Sequence, residues 1–463
     1  MLIYDTLSGE KKKLEQTKDR INLFVCGPTV YDYSHIGHAR TYIFFDLFVK
    51  YLRSLGYKIF YLQNITDIDD RIIVRAKERS TEVQKLAKEF TDKYLEDMKA
   101  LGVTEVDKYA PATKFIKQIV GQVKTLIDKG YAYKTSDGYY FDISKFEDYG
   151  KLSRRSAEQA ESAVSRIDES VTKNNKGDFA LWKFYKEGEP FWETELGKGR
   201  PGWHIEDTAI TEKYFGPQYD IHGGGIDLKF PHHEAELAQQ ESASGKSPFV
   251  KIWMHSGFLL ADGKKMSKSL NNFITIGDFL TKHDPLVLKW IVLTHHYRSP
   301  VNYTESLISQ SISAINGLRE SLAKLGFASN KSNKDSSFDL QEKLKNVVIE
   351  FESALSDDFN TPLAIAVILS FLGDINDKIW NLSKIEAKSI LKIIKNTLSV
   401  FSIELKADAI PLNIKKFIDE REEFRRNKQF IQSDALRKKT EDLGYIIEDT
   451  PFGPFIIKTN AIN

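Results

Sequence analysis

Apolar and polar positions along this chain fall into blocks whose period changes. INLFVCG, from Ile21, is a short apolar run closed by glycine, which predicts a buried strand. Ile43, Phe44, Leu47, Phe48, Tyr51, Leu52 and Leu55 then recur at helical spacing, and Gly56 stops that helix. KIFYLQNIT predicts a second strand. Strand, helix and strand at this spacing make a βαβ unit of a parallel sheet. Ligands of such sheets bind at the carboxyl ends of the strands, here residues 26–38 and 66–70.

From about Glu82 to Lys129 the pattern is helical, and AYKTSDGYYFDIS predicts a hairpin turning at Asp137-Gly138. Residues 151–178 are polar and rich in Ser, Glu and Lys, and read as a mobile loop. Parallel α/β signals resume after Trp182, so the intervening stretch reads as an insertion into one split domain. Further on, Leu307, Ile308, Ile312, Ile315, Leu318 and Leu322 mark an amphipathic helix. SNKSNKDSS (329–337) is a linker by composition. Two helices follow, the second opened by Thr361 as N-cap with Pro362 at the first helical position. Another covers roughly Glu386 to Leu405. From about Asn413 the chain reads as one charged helix and then short strands.

With 463 residues the chain is too long for one core, and two to four packed units are expected. Lys+Arg 66 against Asp+Glu 65 leaves a net charge of +1, so any nucleic-acid surface must be local. The single cysteine, Cys26, excludes an intramolecular disulfide and fits a reducing compartment. The opening MLIYDTLSGEKKK has no apolar run of a signal peptide, and no segment approaches about 20 apolar residues. A soluble, cytoplasmic protein with no membrane partner is expected.

His35-Ile36-Gly37-His38 follows the first strand and opens the first helix. Two imidazoles and a glycine at a helix N-terminus suit a nucleotide phosphate. Lys265-Met266-Ser267-Lys268-Ser269, preceded by Asp262-Gly263, offers lysines and hydroxyls to a pyrophosphate leaving group. Either motif alone is weak. Together, in this order and in this strand-helix setting, they resemble a class I aminoacyl-tRNA synthetase. A third constellation comprises Cys26, WHIED (203–207), HGGGID (222–227) and PHHEAE (231–236). His232 and Glu236 share a helix face that Pro231 could start, and thiolate, imidazole and carboxylate suit tetrahedral zinc.

The whole pattern resembles the cysteinyl-tRNA synthetase family. CGPTVYDYSHIGHAR, NITDIDD, GRPGWHIE, DIHGGG-DL, FPHHE-E, MHSG, KMSKS and DDFNTP match it in order across the chain. The resemblance implies a zinc ion held at positions 26, 207, 232 and 236, with substrate cysteine bound to it as thiolate. It implies an amino-acid pocket lined by Thr66, Trp203, His222 and Asp227. It places ATP against His35, Gly37, His38 and Lys268, with Lys265 and Lys268 assisting catalysis beside the two histidines, and Mg²⁺ accompanying ATP. The implied partners are tRNA(Cys), ATP and L-cysteine, and the implied state is a monomer. Zinc would explain selectivity, because a pocket alone separates cysteine from serine poorly.

One position departs from the family: Asp207 stands where a second cysteine ligand is usual. Three options stay open: Asp207 ligates in its place, the site keeps three ligands, or no metal is used. Two alternative functions share part of the pattern, the cysteinyl-adenylate-using ligase of mycothiol synthesis and an inactive tRNA-binding paralogue. The implied fold class is α/β. A Rossmann-like parallel-sheet catalytic domain (1–115 and 200–250) carries a connective insertion (116–199). A stem-contact region with the KMSKS loop (251–303), a helical bundle (304–405) and a small α+β anticodon-binding domain (406–463) follow. In the last, residues 415–439 interleave basic side chains with Phe417, Phe424 and Phe430, which suits stacking on splayed bases.

Overall fold

A computed structural model describes residues 1–16, 19–155, 172–266, 272–332, 340–405 and 409–459. The chain divides into two compact units, one of residues 1–279 and 297–302, the other of 280–296 and 303–463.

The first unit opens with a hairpin, β1 (Leu2–Asp5) and β2 (Glu10–Lys13), ahead of β3 (Ile21–Val25). All five residues of β3 are buried, the polar Asn22 among four apolar side chains. Next come α1 (Ile36–Ser54), β4 (Ile59–Ile65), α2 (Asp70–Glu78), α3 (Val83–Ala100) and β5 (Lys108–Pro111). β5 corrects the expectation of continuous helix from 82 to 129. KYAP is too short and mixed to show strand periodicity, and it is a strand because it pairs in parallel with β4.

The insertion begins with α4 (Ile116–Asp128). It holds an antiparallel sheet of β6 (Ala132–Lys134), β7 (Gly138–Phe141), β8 (Phe179–Phe184) and β9 (Gly199–Pro201). The expected hairpin is present, with Gly138 inside β7. β8 and β9 are antiparallel, so the parallel structure expected after Trp182 returns only past β9; a buried apolar run looks alike in either kind of sheet. Part of the loop read as mobile, 156–171, lies outside the described residues.

Parallel structure returns with α5 (Ile205–Phe215), β10 (Tyr219–Gly225), α6 (Glu234–Ser244) and β11 (Val250–Ser256). The five parallel strands take the order β11-β10-β3-β4-β5. The strand order reverses between β3 and β10, and such a switch point opens a crevice at the carboxyl ends of the strands. The short hairpin of β12 (Leu259–Ala261) and β13 (Lys264–Lys265) leads into KMSKS, turning at Asp262 (φ +50°) and Gly263 (φ +74°). The buried Arg40 guanidinium fixes the chain before that hairpin by donating to the carbonyls of Gly257 (2.7 Å), Phe258 (2.6 Å), Tyr297 and Ser299.

The second unit is helical: α7 (Pro285–Leu293), α8 (Glu305–Lys331), α9 (Leu340–Ser356), α10 (Thr361–Asn376) and α11 (Lys384–Ser399). The cap of α10 is Asn360, whose side chain accepts from Leu363 N–H, rather than the expected Thr361. The single charged helix expected from about Asn413 is two, α12 (Leu412–Arg426) and α13 (Phe430–Asp442). They are broken at Lys428, which sits at φ +58°. β14 (Tyr445–Thr450) and β15 (Gly453–Lys458) close the unit as a hairpin over Ile414 and Ile418.

Candidate active site

The site is built on the strand ends at the switch point. Cys26 leaves β3 and is buried at 4% exposure. Its neighbour Gly27 donates to Asn64 Oδ1 at 2.5 Å, on β4. Thr66, just past β4, hydrogen-bonds the buried carboxylate of Glu206, which Asn64 Nδ2 also reaches at 3.2 Å. Glu206 and Asp207 lie in the first turn of α5, where carboxylates are favoured by the helix dipole.

His232 belongs to a π-helical turn over Lys229–His233, kinked at Phe230, and the regular helix starts only at Glu234, not at Pro231 as expected. The i, i+4 relation still holds, with His232 Nε2 at 3.1 Å from Glu236 Oε1. Asp207 Oδ2 lies 2.9 Å from His232 Nε2 and 3.4 Å from Cys26 Sγ, and Cys26 Sγ lies 3.8 Å from Glu236 Oε1. Thus the four residues expected to hold zinc converge. His204 Nδ1 meets His232 Nδ1 at 2.7 Å, and Trp203 stacks on His232 with centroids 4.3 Å apart.

His222, on β10, points into the same cluster, with Nε2 at 3.4 Å from Cys26 Sγ. His233, which the sequence reading quoted without assigning a role, contributes Nε2 at 3.1 Å from the same sulfur. A Cβ at Gly224 would lie 2.8 Å from the His233 ring, so glycine there makes room for it. The signal available for His233 was only its adjacency to His232.

One sulfur thus faces four ligand atoms, and a thiol has a single proton to share among them. Glu206 Oε2, Asp207 Oδ1 and Glu236 Oε2 are buried without a hydrogen-bond partner. Among the described residues, these three carboxylates pair with no Lys or Arg. Burial, then Glu236 and Asp207, push the Cys26 thiol well up. Burial and Asp207 push up the Glu206 and Glu236 carboxyls. Burial also keeps His204, His222 and His233 neutral. Neutral imidazoles with carboxylates and a thiol that ionise together only around a cation fit a divalent metal, and a sulfur, nitrogen and oxygen donor set fits zinc.

The HIGH element stands at the start of α1. His35 caps the helix: its Nδ1 accepts from Gly37 N–H at 3.0 Å, while His38 Nδ1 accepts from His35 N–H at 3.4 Å. Ile36 N–H donates to Ile274 O, so the first amides of the helix are engaged within the protein. With both Nδ1 atoms accepting, each ring carries its proton on Nε2 and offers it outward. Burial and then His38 lower His35 to about 2, and desolvation at the helix start with Lys265 and Arg71 lowers His38, whose side chain stays exposed, so both are neutral donors at neutral pH.

Asp227 and Lys265 pair at the rim, 3.3 Å apart and with side chains 47% and 62% exposed. Arg71 stands 5.1 Å from the Trp203 ring centroid and close enough to His38 to lower it. Lys268 lies outside the described residues.

A parallel sheet with a ligand cluster at its switch point and a histidine-capped helix beside it define the chain as a class I aminoacyl-tRNA synthetase. Residues 12–313 match the family described as tRNA synthetases class I (C) catalytic domain, and residues 350–406 match the DALR domain. The cysteine–tRNA ligase of Thermoplasma volcanium is 43% identical over 453 residues, covering 97% of this chain and 98% of that protein. That of Bacillus licheniformis is 39% identical, covering 98% of each. The chain belongs to the cysteine–tRNA ligase family. The fold is also that of the Mycobacterium tuberculosis methionyl-tRNA synthetase in complex with methionyl-adenylate (TM-score 0.64, 15% identity, 83% of this chain and 90% of that one).

Proposed function

We propose that this chain activates L-cysteine with ATP and transfers it to the 3′-terminal adenosine of tRNA(Cys), as a cytoplasmic monomer. The observation that carries this reading is the convergence of Cys26, Asp207, His232 and Glu236 beside the histidine-capped start of α1.

ATP lies over α1 with its phosphates on the Nε2–H groups of His35 and His38, and the missing side chain at Gly37 lets it approach. The cysteine carboxylate attacks the α-phosphate and pyrophosphate leaves, with Lys265 and Lys268 offsetting its charge and Mg²⁺ accompanying the nucleotide. No side-chain nucleophile takes part. Positioning and electrostatics carry the step. Trp203, Thr66 and His222 wall the amino-acid pocket, and the Asp227 carboxylate at the rim accepts from the α-ammonium group. Cys26, Asp207, His232 and Glu236 would hold zinc, which when bound supplies a thiophilic Lewis acid that a serine hydroxyl cannot match. The division into a split catalytic domain, insertion, stem-contact region, bundle and anticodon-binding end (406–463) belongs to the same proposal.

Cysteine-dependent ATP–pyrophosphate exchange together with charging of tRNA(Cys) tests the reaction. Exchange without charging would leave an adenylate-forming ligase for another acceptor. Elemental mass spectrometry of protein purified without chelator should find about one zinc per chain. In single-turnover activation, Lys268→Ala should be slowed, and a near-normal rate would remove the role given to Lys268.

A further inference from the structure

The cluster around Cys26 holds more ligand atoms than one tetrahedral ion uses. From that surplus we infer a second metal seat, bounded by Cys26, His222, His233 and Glu236. It shares Cys26 and Glu236 with the Asp207–His232 seat and takes the same ion with a different donor set. This rests on the reading of the cluster as metal-binding.

The Glu236 carboxylate straddles the two seats. Its Oε1 faces His232 Nε2 at 3.1 Å, while Oε2 faces His222 Nε2 at 3.5 Å and accepts no hydrogen bond, although Glu236 is fully buried. Cys26 Sγ is shared in the same way, at 3.4 Å from Asp207 Oδ2 on one side and 3.1 Å from His233 Nε2 on the other. A tetrahedral zinc with ordinary bond lengths has ligand–ligand edges of roughly 3.3–3.6 Å. Of the sulfur–imidazole pairs of the second seat, the one to His222, at 3.4 Å, lies in that range, and the one to His233, at 3.1 Å, has to open by a few tenths of an ångström.

Both imidazoles are oriented from behind. His222 Nδ1 meets the Tyr219 hydroxyl at 2.7 Å. His233 Nδ1 meets His255 Nε2 at 2.8 Å, and His255 Nδ1 meets Thr6 Oγ1 at 2.8 Å. With Nδ1–H donating at each step of that relay, the Nε2 lone pair of His233 faces the sulfur. A bound metal requires that tautomer, and outer hydrogen bonds of this kind fix it.

The donor chemistry says why the second seat matters in this chain. With Asp207 in place of a thiolate, the first seat offers one sulfur, one nitrogen and two carboxylate oxygens. The second offers one sulfur, two nitrogens and one oxygen. Imidazole suits zinc better than carboxylate does, and carboxylate suits harder ions. Zinc therefore also takes the seat of His222 and His233 beside that of Asp207 and His232, whereas a harder ion such as Mn²⁺ keeps to Asp207.

The test is zinc content, chelator-competition affinity and X-ray absorption on four full-length proteins: wild type, Asp207→Asn, His233→Asn and the double variant. Circular dichroism confirms folding, and Asp207→Ala with His222→Asn repeats the cycle should a parent variant fail to fold. Each single variant should keep about one zinc per chain, with two imidazoles in the absorption spectrum of Asp207→Asn. The double variant should weaken binding more than about 100-fold, beyond the 10–100-fold that loss of an outer partner costs. A zinc-loaded wild type with a zinc-free Asp207→Asn would overturn the second seat, as would a double variant that keeps its zinc. A wild type that binds no zinc would instead remove the metal reading itself, and this inference with it.

Discussion

Cys26 Sγ lies 3.4 Å from Oδ2 of Asp207, both groups shut away from water. A thiol and a carboxylate in such contact repel once both ionise, and together they attract a cation. Cys26 borders both candidate seats, so Cys26→Ser should lose metal outright and not merely shift it. Cysteine-dependent exchange should fall with it, by at least about 100-fold if one strong electrostatic contact is lost. Elemental analysis and exchange on the same preparation check this. A Cys26→Ser protein with full zinc and normal exchange would refute it.

Much of this site was legible because its chemistry sits in short contiguous motifs. PHHEAE and WHIED each bring ligand-type residues to one helix start, and β3, α1 and β4 each carry a clean period. What was not legible depends on pairing across the chain. KYAP becomes a strand only beside β4, and β8 turns antiparallel only beside β7 and β9. Adjacency to His232 could not show that His233 would face the other side of the Cys26 sulfur. That follows from the turn at Lys229–His233 and from Gly224 leaving space for the ring.

His255 should contribute to acid lability. Burial, with Lys229 nearby, lowers it to about 3, whereas in the unfolded chain it protonates near 6.5. Between those values the unfolded state binds a proton that the native state refuses. Stability is therefore fully present above about pH 6.5 and is lost as pH falls toward 3. His255→Asn should flatten the acid side of the melting-temperature profile measured from about pH 8 to about pH 4.5. Parallel profiles for the two proteins would count against it.

Asp70 ties the catalytic sheet to the insertion. Its carboxylate accepts from Arg200 at 2.6 Å and from Lys183 at 2.8 Å, and Arg200 also donates to Glu189 at 2.9 Å. The Arg200 side chain is only 4% exposed, so removing Asp70 leaves that buried charge with Glu189 alone. Asp70→Ala should cost about 1.5–3 kcal/mol, the range for lost hydrogen bonds to a charged group, because Glu189 still pairs with Arg200. Chemical denaturation gives the number, and a loss below about 1 kcal/mol would place the pair with weak surface bridges.

The C-terminal end, proposed above to bind the anticodon, offers a separable test. At the start of α13, Phe430 and Ile431 are 61% and 84% exposed, and Arg425, Arg426 and Lys428 immediately precede them. Apolar side chains held in water beside cations suit unstacked bases, and one stacked base is worth about 1–3 kcal/mol. Phe430→Ala should raise the KM for tRNA by roughly 5- to 150-fold, the equivalent of that range. Cysteine-dependent ATP–pyrophosphate exchange should stay unchanged, because no step of adenylate formation uses this helix. A variant with unaltered charging kinetics would remove Phe430 from tRNA recognition. A variant that lost exchange as well would point to a folding defect in the second unit, which its melting temperature would reveal.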